Sequence, residues 1–245
     1  MERGEFTIGG ISSKALKAKI QNHPMLQTPR RKANRHDVPW KNGATFFDLD
    51  SYDNTEMELL LSLKSKNFAD SEKNRRNLVA AFDAPGYLRF IYYADVSKAY
   101  YVRVESMTFG KVGVNGFNQN VIINLTVRPF KLEATPTPIV ATTTKKITVD
   151  NPYQWESEPL ISVEGNGNMM LTVNGKEFTF KNILEHIRID SSIKQCYWMV
   201  NRVPENHNDK MFTIAYPVLK TGTNTITWTG NITKFTLEPR WNTLI

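Results

Sequence analysis

Apolar and polar positions alternate with a period of two along most of the chain, and the alternation gives way to one long helical pattern in the first half. In residues 55–64, Met57, Leu59, Leu61 and Leu63 share one face while Glu56, Glu58, Ser62 and Lys64 mostly fill the other. That is a strand with one buried side. With residues 44–50 before it and a turn at 51–54, it predicts a hairpin. Asp70 and Ser71 predict the cap of a helix over 72–82, with Leu78, Val79 and Phe82 as its apolar stripe and Pro85-Gly86 as its stop. Strand patterns return at 87–93, 99–107 and 120–128, the last closing at Pro129, and Gly110, Gly113 and Gly116 loosen the connection between the final two.

Residues 133–144 break the pattern with prolines that cannot donate to a ladder and with β-branched residues that prefer extended backbone. They predict an extended connector. Beyond it, short strands recur at 160–163, 168–173, 177–180, 187–190, 195–200, 211–215, 224–229 and 232–237, with Asn174-Gly175 as a two-residue hairpin turn. Regular short strands without a strong helix argue for an antiparallel β-sandwich. The expected organisation is therefore mainly β with one long helix: a first domain over 1–134, a linker over 135–144 and a sandwich over 145–245.

Composition supports a folded chain, with 40% hydrophobic and 22% charged residues. The chain lacks both a run of about 20 apolar residues and a basic-then-apolar start. Synthesis and residence in a cytoplasm-like setting are expected, with no membrane partner. The net charge of +7 changes meaning once mapped: residues 14–41 hold eight Lys/Arg against Asp37 alone, which leaves the remainder neutral. The charge is local and asks for a local explanation. Nucleic-acid contact is one, but Trp40 is the sole aromatic of the stretch 23–41, too few for stacking platforms.

Catalytic and metal chemistry find little support in the sequence. Cys196 is the one cysteine and sits in a strand pattern, which predicts an ordinary buried thiol. His23, His36, His186 and His207 have neither metal-ligand spacing nor adjoining carboxylates. Gly165-Asn-Gly-Asn168 lies between strands and reads as a turn, since a phosphate-cradling loop leads into a helix. Serine-hydrolase motifs are missing, and the pairs Glu56/Glu58 and Glu156/Glu158 share one strand face each rather than opposing one another. No enzyme activity, cofactor or metal is expected. Trp155 and Trp228 stand as candidate glycan contacts, because exposed strand tryptophans can stack on sugars, although most are core.

These segments together resemble the distal tail protein (Dit) family of long-tailed, non-contractile bacteriophages over nearly the whole length. The first half offers Phe6-Thr-Ile-Gly-Gly-Ile-Ser-Ser13, then Val38-Pro-Trp-Lys-Asn-Gly43, a hairpin around Tyr52, the helix, the strand pair from Asp95 to Val104 and the Pro129-Phe130 close. The second half carries more specific matches: Ser157-Glu-Pro-Leu-Ile-Ser-Val-Glu-Gly165, Leu171-Thr-Val-Asn-Gly175, Ile189-Asp190, Tyr216-Pro-Val-Leu-Lys-Thr-Gly-Thr-Asn224, Thr227-Trp-Thr-Gly230 and Glu238-Pro-Arg-Trp241. Trp40-Lys41-Asn42 replaces the family's more glycine-rich turn.

The resemblance implies a barrel- or sandwich-like N-terminal domain that builds a homohexameric ring, and a galectin-like C-terminal sandwich that points outward. It implies a virion structural protein at the tail tip, assembled in the host cytoplasm, that joins the tail tube protein to tail-associated, tail-fibre or receptor-binding proteins. Genomic DNA would pass the ring without specific binding. In that setting Arg30, Arg31, Lys32 and Arg35 become candidate subunit-interface residues, since charge complementarity can set register and partner choice. The competing expectation is a carbohydrate-binding module that adheres to the host cell wall, which a glycan array on residues 145–245 separates from a pure hub. A weaker one, a DNA-contacting tail factor, would show steep salt-dependent DNA binding by residues 1–134.

Overall fold

The computed structural model describes residues 1–112 and 117–245; the expected glycines Gly113 and Gly116 lie outside them. The chain divides into two compact units, residues 1–134 with Leu244–Ile245, and residues 135–243.

The first unit is a curled antiparallel sheet closed over by one helix. In the sheet, β1 (Phe6–Ile8) lies between β2 (Ile11–Ser12) and β8 (Leu88–Tyr92), and the order continues through β9 (Lys98–Phe109), β10 (Gln119–Val127), β7 (Thr55–Leu63) and β3 (Ala18–Ile20). The short β4 (Met25–Leu26) also pairs with β7, and β11 (Phe130–Glu133) pairs with β9. Met57, Leu59, Leu61 and Leu63 are all buried as their alternation predicts, on the same sheet face as Val121, Ile123, Leu125 and Val127 of the neighbouring β10 in one core. Each such side chain contributes about 1.5–3 kcal/mol on burial. The core also takes Ile245, whose N–H donates to the Pro129 carbonyl at 3.0 Å.

The helix α1 (Phe68–Phe82) begins four residues before its expected start. Asn67 caps it by accepting from the Asp70 N–H, and the Asp70 carboxylate accepts in return from the Lys66 N–H. The cap thus lies three residues upstream of the expected Asp70-Ser71 pair. Leu78 and Phe82 are buried as expected, but Val79 is exposed, and Ser71, Asn74 and Ala81 complete the inner face instead. Asn74 donates to the Lys64 carbonyl and the Ser65 hydroxyl, which ties the helix to the end of β7.

The expected hairpin over 44–64 does not form. β6 (Thr45–Tyr52) pairs with β5 (Arg31–His36) in a separate two-stranded ribbon, while β7 takes its partners from the main sheet. The reason is the contrast between the two runs: β7 offers an unbroken apolar face, whereas β6 carries Phe46 and Phe47 side by side and acids at Asp48 and Asp50. Only β7 can seal a core.

The second unit is an antiparallel sandwich strung on two long strands. β14 (Leu160–Val173) and β19 (Gly222–Glu238) pair along their length, and each merges two segments that the sequence separates. Their ladder shifts register at Glu164/Gly165 and at Asn166/Met169, and bulges of this kind let a strand bend from one layer into the other. Gly165 through Asn168 is therefore a bend inside a strand and not the turn expected. At the crossing, a side chain on Gly165 would stand 2.2 Å from the Asn231 carbonyl oxygen, so only glycine fits.

On one side of the bend lie β12 (Ile139–Ala141), β16 (His186–Asp190), β17 (Gln195–Val200) and β18 (Val203–Asn206), in the order β12-β19-β14-β16-β17-β18. On the other lie β13 (Lys146–Asn151) against β19 and β15 (Lys176–Ile183) against β14. Trp228 and Phe235, from the two halves of β19, stack at 4.1 Å between centroids inside the core. The Asn174-Gly175 turn joins β14 to β15 with both residues at positive φ, 51° and 82°, the conformation that Asn-Gly adopts most readily. Residues 211–215 form no strand beyond a bridge from Met211 to Phe180, and the polar β18 takes the edge position instead. Part of the stretch expected as an extended connector pairs with β19 as β12: its extended backbone is strand geometry, and Ala141 is buried.

Candidate assembly surface

The β5–β6 ribbon gathers the four basic residues singled out in the sequence, together with acids that a linear tally misses. Arg31 is its clasp: its guanidinium bonds Asp48 through Nε, reaches Asp50 Oδ1 at 3.2 Å and donates to the Tyr52 hydroxyl at 3.2 Å. The Tyr52 ring in turn meets Phe130 edge-on at 5.5 Å, and the Asp53 N–H donates to the Arg30 carbonyl at 2.8 Å. The Asp50 N–H, and after it Arg31, hold the Asp48 carboxyl below the usual carboxylate range against a partial loss of solvent.

Lys32 pairs with Asp53 at 3.6 Å and Arg35 with Asp37 at 3.1 Å. Arg30 is exposed and forms no ion pair among the described residues. Upstream, Lys14 pairs with Glu5 at 2.8 Å. Over residues 30–53, five Lys/Arg meet four Asp, so this part of the basic run is largely neutralised by acids of β6 and of the residues flanking the ribbon strands. Exposed pairs of this type contribute little stability; here they set the register of the ribbon.

What the ribbon leaves uncovered is apolar. Trp40, at the tip between the strands, is 104% exposed, and Phe46, Phe47 and Leu49 are each at least half exposed. Adjacent strand residues point to opposite faces, so Phe46 and Phe47 put an aromatic ring on each side. Two-stranded ribbons are marginal alone, and covering each of these side chains would add about 1.5–3 kcal/mol. Sequence inspection passed over these residues, although the neighbouring phenylalanines were the signal: they break the alternation that a strand with one buried face requires.

The candidate glycan contacts fare differently. Trp228 is 3% exposed within the sandwich core, so it offers no face to a sugar. Trp155 is half-buried, its carbonyl accepting from Asn151 at 2.8 Å. Cys196 is fully buried, and burial pushes its thiol up to about 12. Among the described residues, no cluster of three or more His, Cys, Asp or Glu could hold a metal, and no helix is long and apolar enough to cross a membrane.

The architecture is that of a β-rich protein of curled antiparallel sheets, and that fold is found in phage hub and baseplate proteins. SPP1 Dit (gp 19.1), described as a paradigm of the hub adsorption apparatus in phages infecting Gram-positive bacteria, superposes with a TM-score of 0.72 at 14% identity, over 98% of this chain and 99% of that one. Chains of the phage p2 baseplate in its activated conformation, with Sr and with Ca, match with TM-scores of 0.62 at 8% and 9% identity, covering 95% and 97% of this chain and 96% and 97% of theirs. No protein-family model and no curated protein matches the sequence. The chain thus shares the Dit fold from end to end.

Proposed function

We propose that this protein is a structural hub of a phage tail tip, acting by assembly and not by catalysis. The observation that carries the proposal is the β5–β6 ribbon, which shows apolar side chains on both faces and lies outside the main sheet of its own unit. A second copy of the chain is the natural cover. Repeating that contact head to tail closes a ring, homohexameric in the arrangement the family resemblance implies. The first unit, residues 1–134, would form the ring and face the tail tube. The second, galectin-like in the same resemblance, would face outward toward receptor-binding or fibre proteins, with DNA passing the channel unbound.

The ribbon chemistry moves the expected contact from charge to aromatic burial. Arg31, Lys32 and Arg35 are engaged within the ribbon, so reversing them would place like charges against Asp48, Asp50, Asp53 and Asp37 and would test ribbon folding first. Arg30 remains the interface candidate of the four. A cleaner test is the double variant Phe46→Ser/Phe47→Ser, followed by negative-stain microscopy and native mass spectrometry, alone and with tail tube protein. Wild type is expected to give closed rings with a central channel, and the variant folded monomers. Rings that persist in the double variant, or wild-type protein that stays monomeric in both conditions, would overturn the proposal.

A further inference from the structure

The outward face of the β12–β18 layer carries an arginine, Arg188, whose Nε has no hydrogen-bond partner. Register places Thr236, Ser162, Arg188, Tyr197 and Asn206 in one row across five adjacent strands, and directly opposed residues share a face. Their chain neighbours Ile161, Ile187, Ile189, Cys196, Phe235 and Leu237 are buried in the core, so the row faces away from it. His186 lies two positions along on the same face, opposite Glu164, which Lys234 already holds at 2.7 Å.

Arg188 is half-buried, with its guanidinium carbon 5.3 Å from the Trp198 ring. That ring in turn lies against His186, 3.5 Å between centroids with the planes tilted by 36°. The Arg188 Nε is buried and has no hydrogen-bond partner. A buried donor left unpaired is destabilising and is normally eliminated. Because Nε is closed to solvent, an incoming anion would meet the two terminal guanidinium nitrogens, the end of a planar fork that matches a carboxylate or phosphate in two contacts. Around it stand hydroxyls and a carboxamide at Ser162, Tyr197 and Asn206, with an aromatic pair at Trp198 and His186. An anion-matching fork beside hydroxyl-matching groups and ring faces suits a sugar that carries a charge.

We propose that this face binds an anionic saccharide, a sugar ring bearing a carboxylate or a phosphate. Arg188 takes the anionic group, Tyr197 and Asn206 meet ring hydroxyls, and the Trp198–His186 pair lies beside the ring. The site is distinct from Trp155 and Trp228, and it stands independently of ring assembly.

The test titrates the full chain with glucose 6-phosphate, glucuronate, glucose and inorganic phosphate, reading tryptophan emission and calorimetric heat. Saturable binding of at least one charged sugar is expected, with glucose and inorganic phosphate each weaker by about tenfold or more; the two charged probes show which anion is preferred. Arg188→Gln is expected to lose that binding by about tenfold or more while its unfolding midpoint stays level or rises, since an orphaned donor is removed. Asn206, at an exposed edge position, already accepts the Asn208 N–H through Oδ1 at 2.8 Å and has only its amide nitrogen to offer; Asn206→Asp, which keeps that acceptor and loses the donor, is expected to weaken binding severalfold with the fold intact. Inorganic phosphate binding as well as the sugar phosphate would overturn the saccharide proposal in favour of a bare anion site. So would absence of saturation with every probe, or a lowered midpoint in Arg188→Gln with binding unchanged.

Discussion

Asp190→Asn tests the energetics of the second unit at a single buried pair. Asp190, at the end of β16, has a side chain only 6% exposed and receives both terminal nitrogens of Arg240, at 2.7 and 3.0 Å. The Ser192 hydroxyl and N–H add bonds at 2.8 and 3.1 Å. Asparagine keeps the shape but strands the Arg240 guanidinium, with Glu238 at 3.8 Å as a partial substitute. Breaking a buried pair from one side costs about 3–5 kcal/mol, and the Glu238 contact argues for the lower end, about 3 kcal/mol. For a unit of this size that is a fall in midpoint of roughly 12 to 18 °C. Tryptophan emission reads this unit selectively, because four of the five tryptophans lie in it and Trp40, in the other, is fully exposed.

The pH dependence supplies an internal control. Burial raises the Asp190 carboxyl, but the Arg240 hydrogen bonds and charge outweigh it, so the group titrates below the usual carboxylate range. A depressed folded-state value means that the pair stabilises fully above the unfolded-chain value of about 3.9, and that the contribution disappears as pH falls through the folded value. Wild type and Asp190→Asn are therefore expected to differ fully at pH 7 and to converge in acid. A variant midpoint within about 3 °C of wild type at pH 7, or a difference that persists unchanged through the acid range, would refute the reasoning.

Gly165→Ala is expected to destabilise the sandwich by about 2 kcal/mol, because its Cβ would stand 2.2 Å from the Asn231 carbonyl oxygen and the bulged crossing would have to open; a urea titration followed by tryptophan emission checks it, and an unchanged midpoint counts against the packing argument. Cys196 is expected to resist a thiol reagent at pH 8 in the native protein and to react once urea is added, since burial holds its thiol near 12; rapid native labelling would contradict the buried placement.

Several features could be read directly from the residues because their causes are local. The face of β7 follows from alternation within nine residues, the turn at Asn174-Gly175 from two residues that accept positive φ, and the burial of Cys196 from its place in an apolar strand. The helix is legible from its period, but its start is not: Asn67 offers a cap as good as Asp70, and only the structure shows which N–H each side chain meets. The order of short motifs also sufficed for the resemblance to the Dit family, and the fold agrees with it over nearly the whole chain.

The remaining features depended on which segment lies beside which. Composition marks a basic run at 14–41, but the acids that pair with its middle part come from β6 and the residues flanking the ribbon strands, and β6 is a strand whose partner is not its nearest apolar neighbour. Trp228 could have faced either way until the bend in β19 folded its ring onto Phe235. The row that holds Arg188 exists only because five strands pair in register. By itself, then, the sequence determined the β-rich class, the buried faces and the turn chemistry, which are set by spacing and backbone preference within a few residues. The tertiary structure alone decided the ribbon, the bent strands and the surface sites, because strand pairing brings together residues whose chemistry has no trace in their separation along the chain.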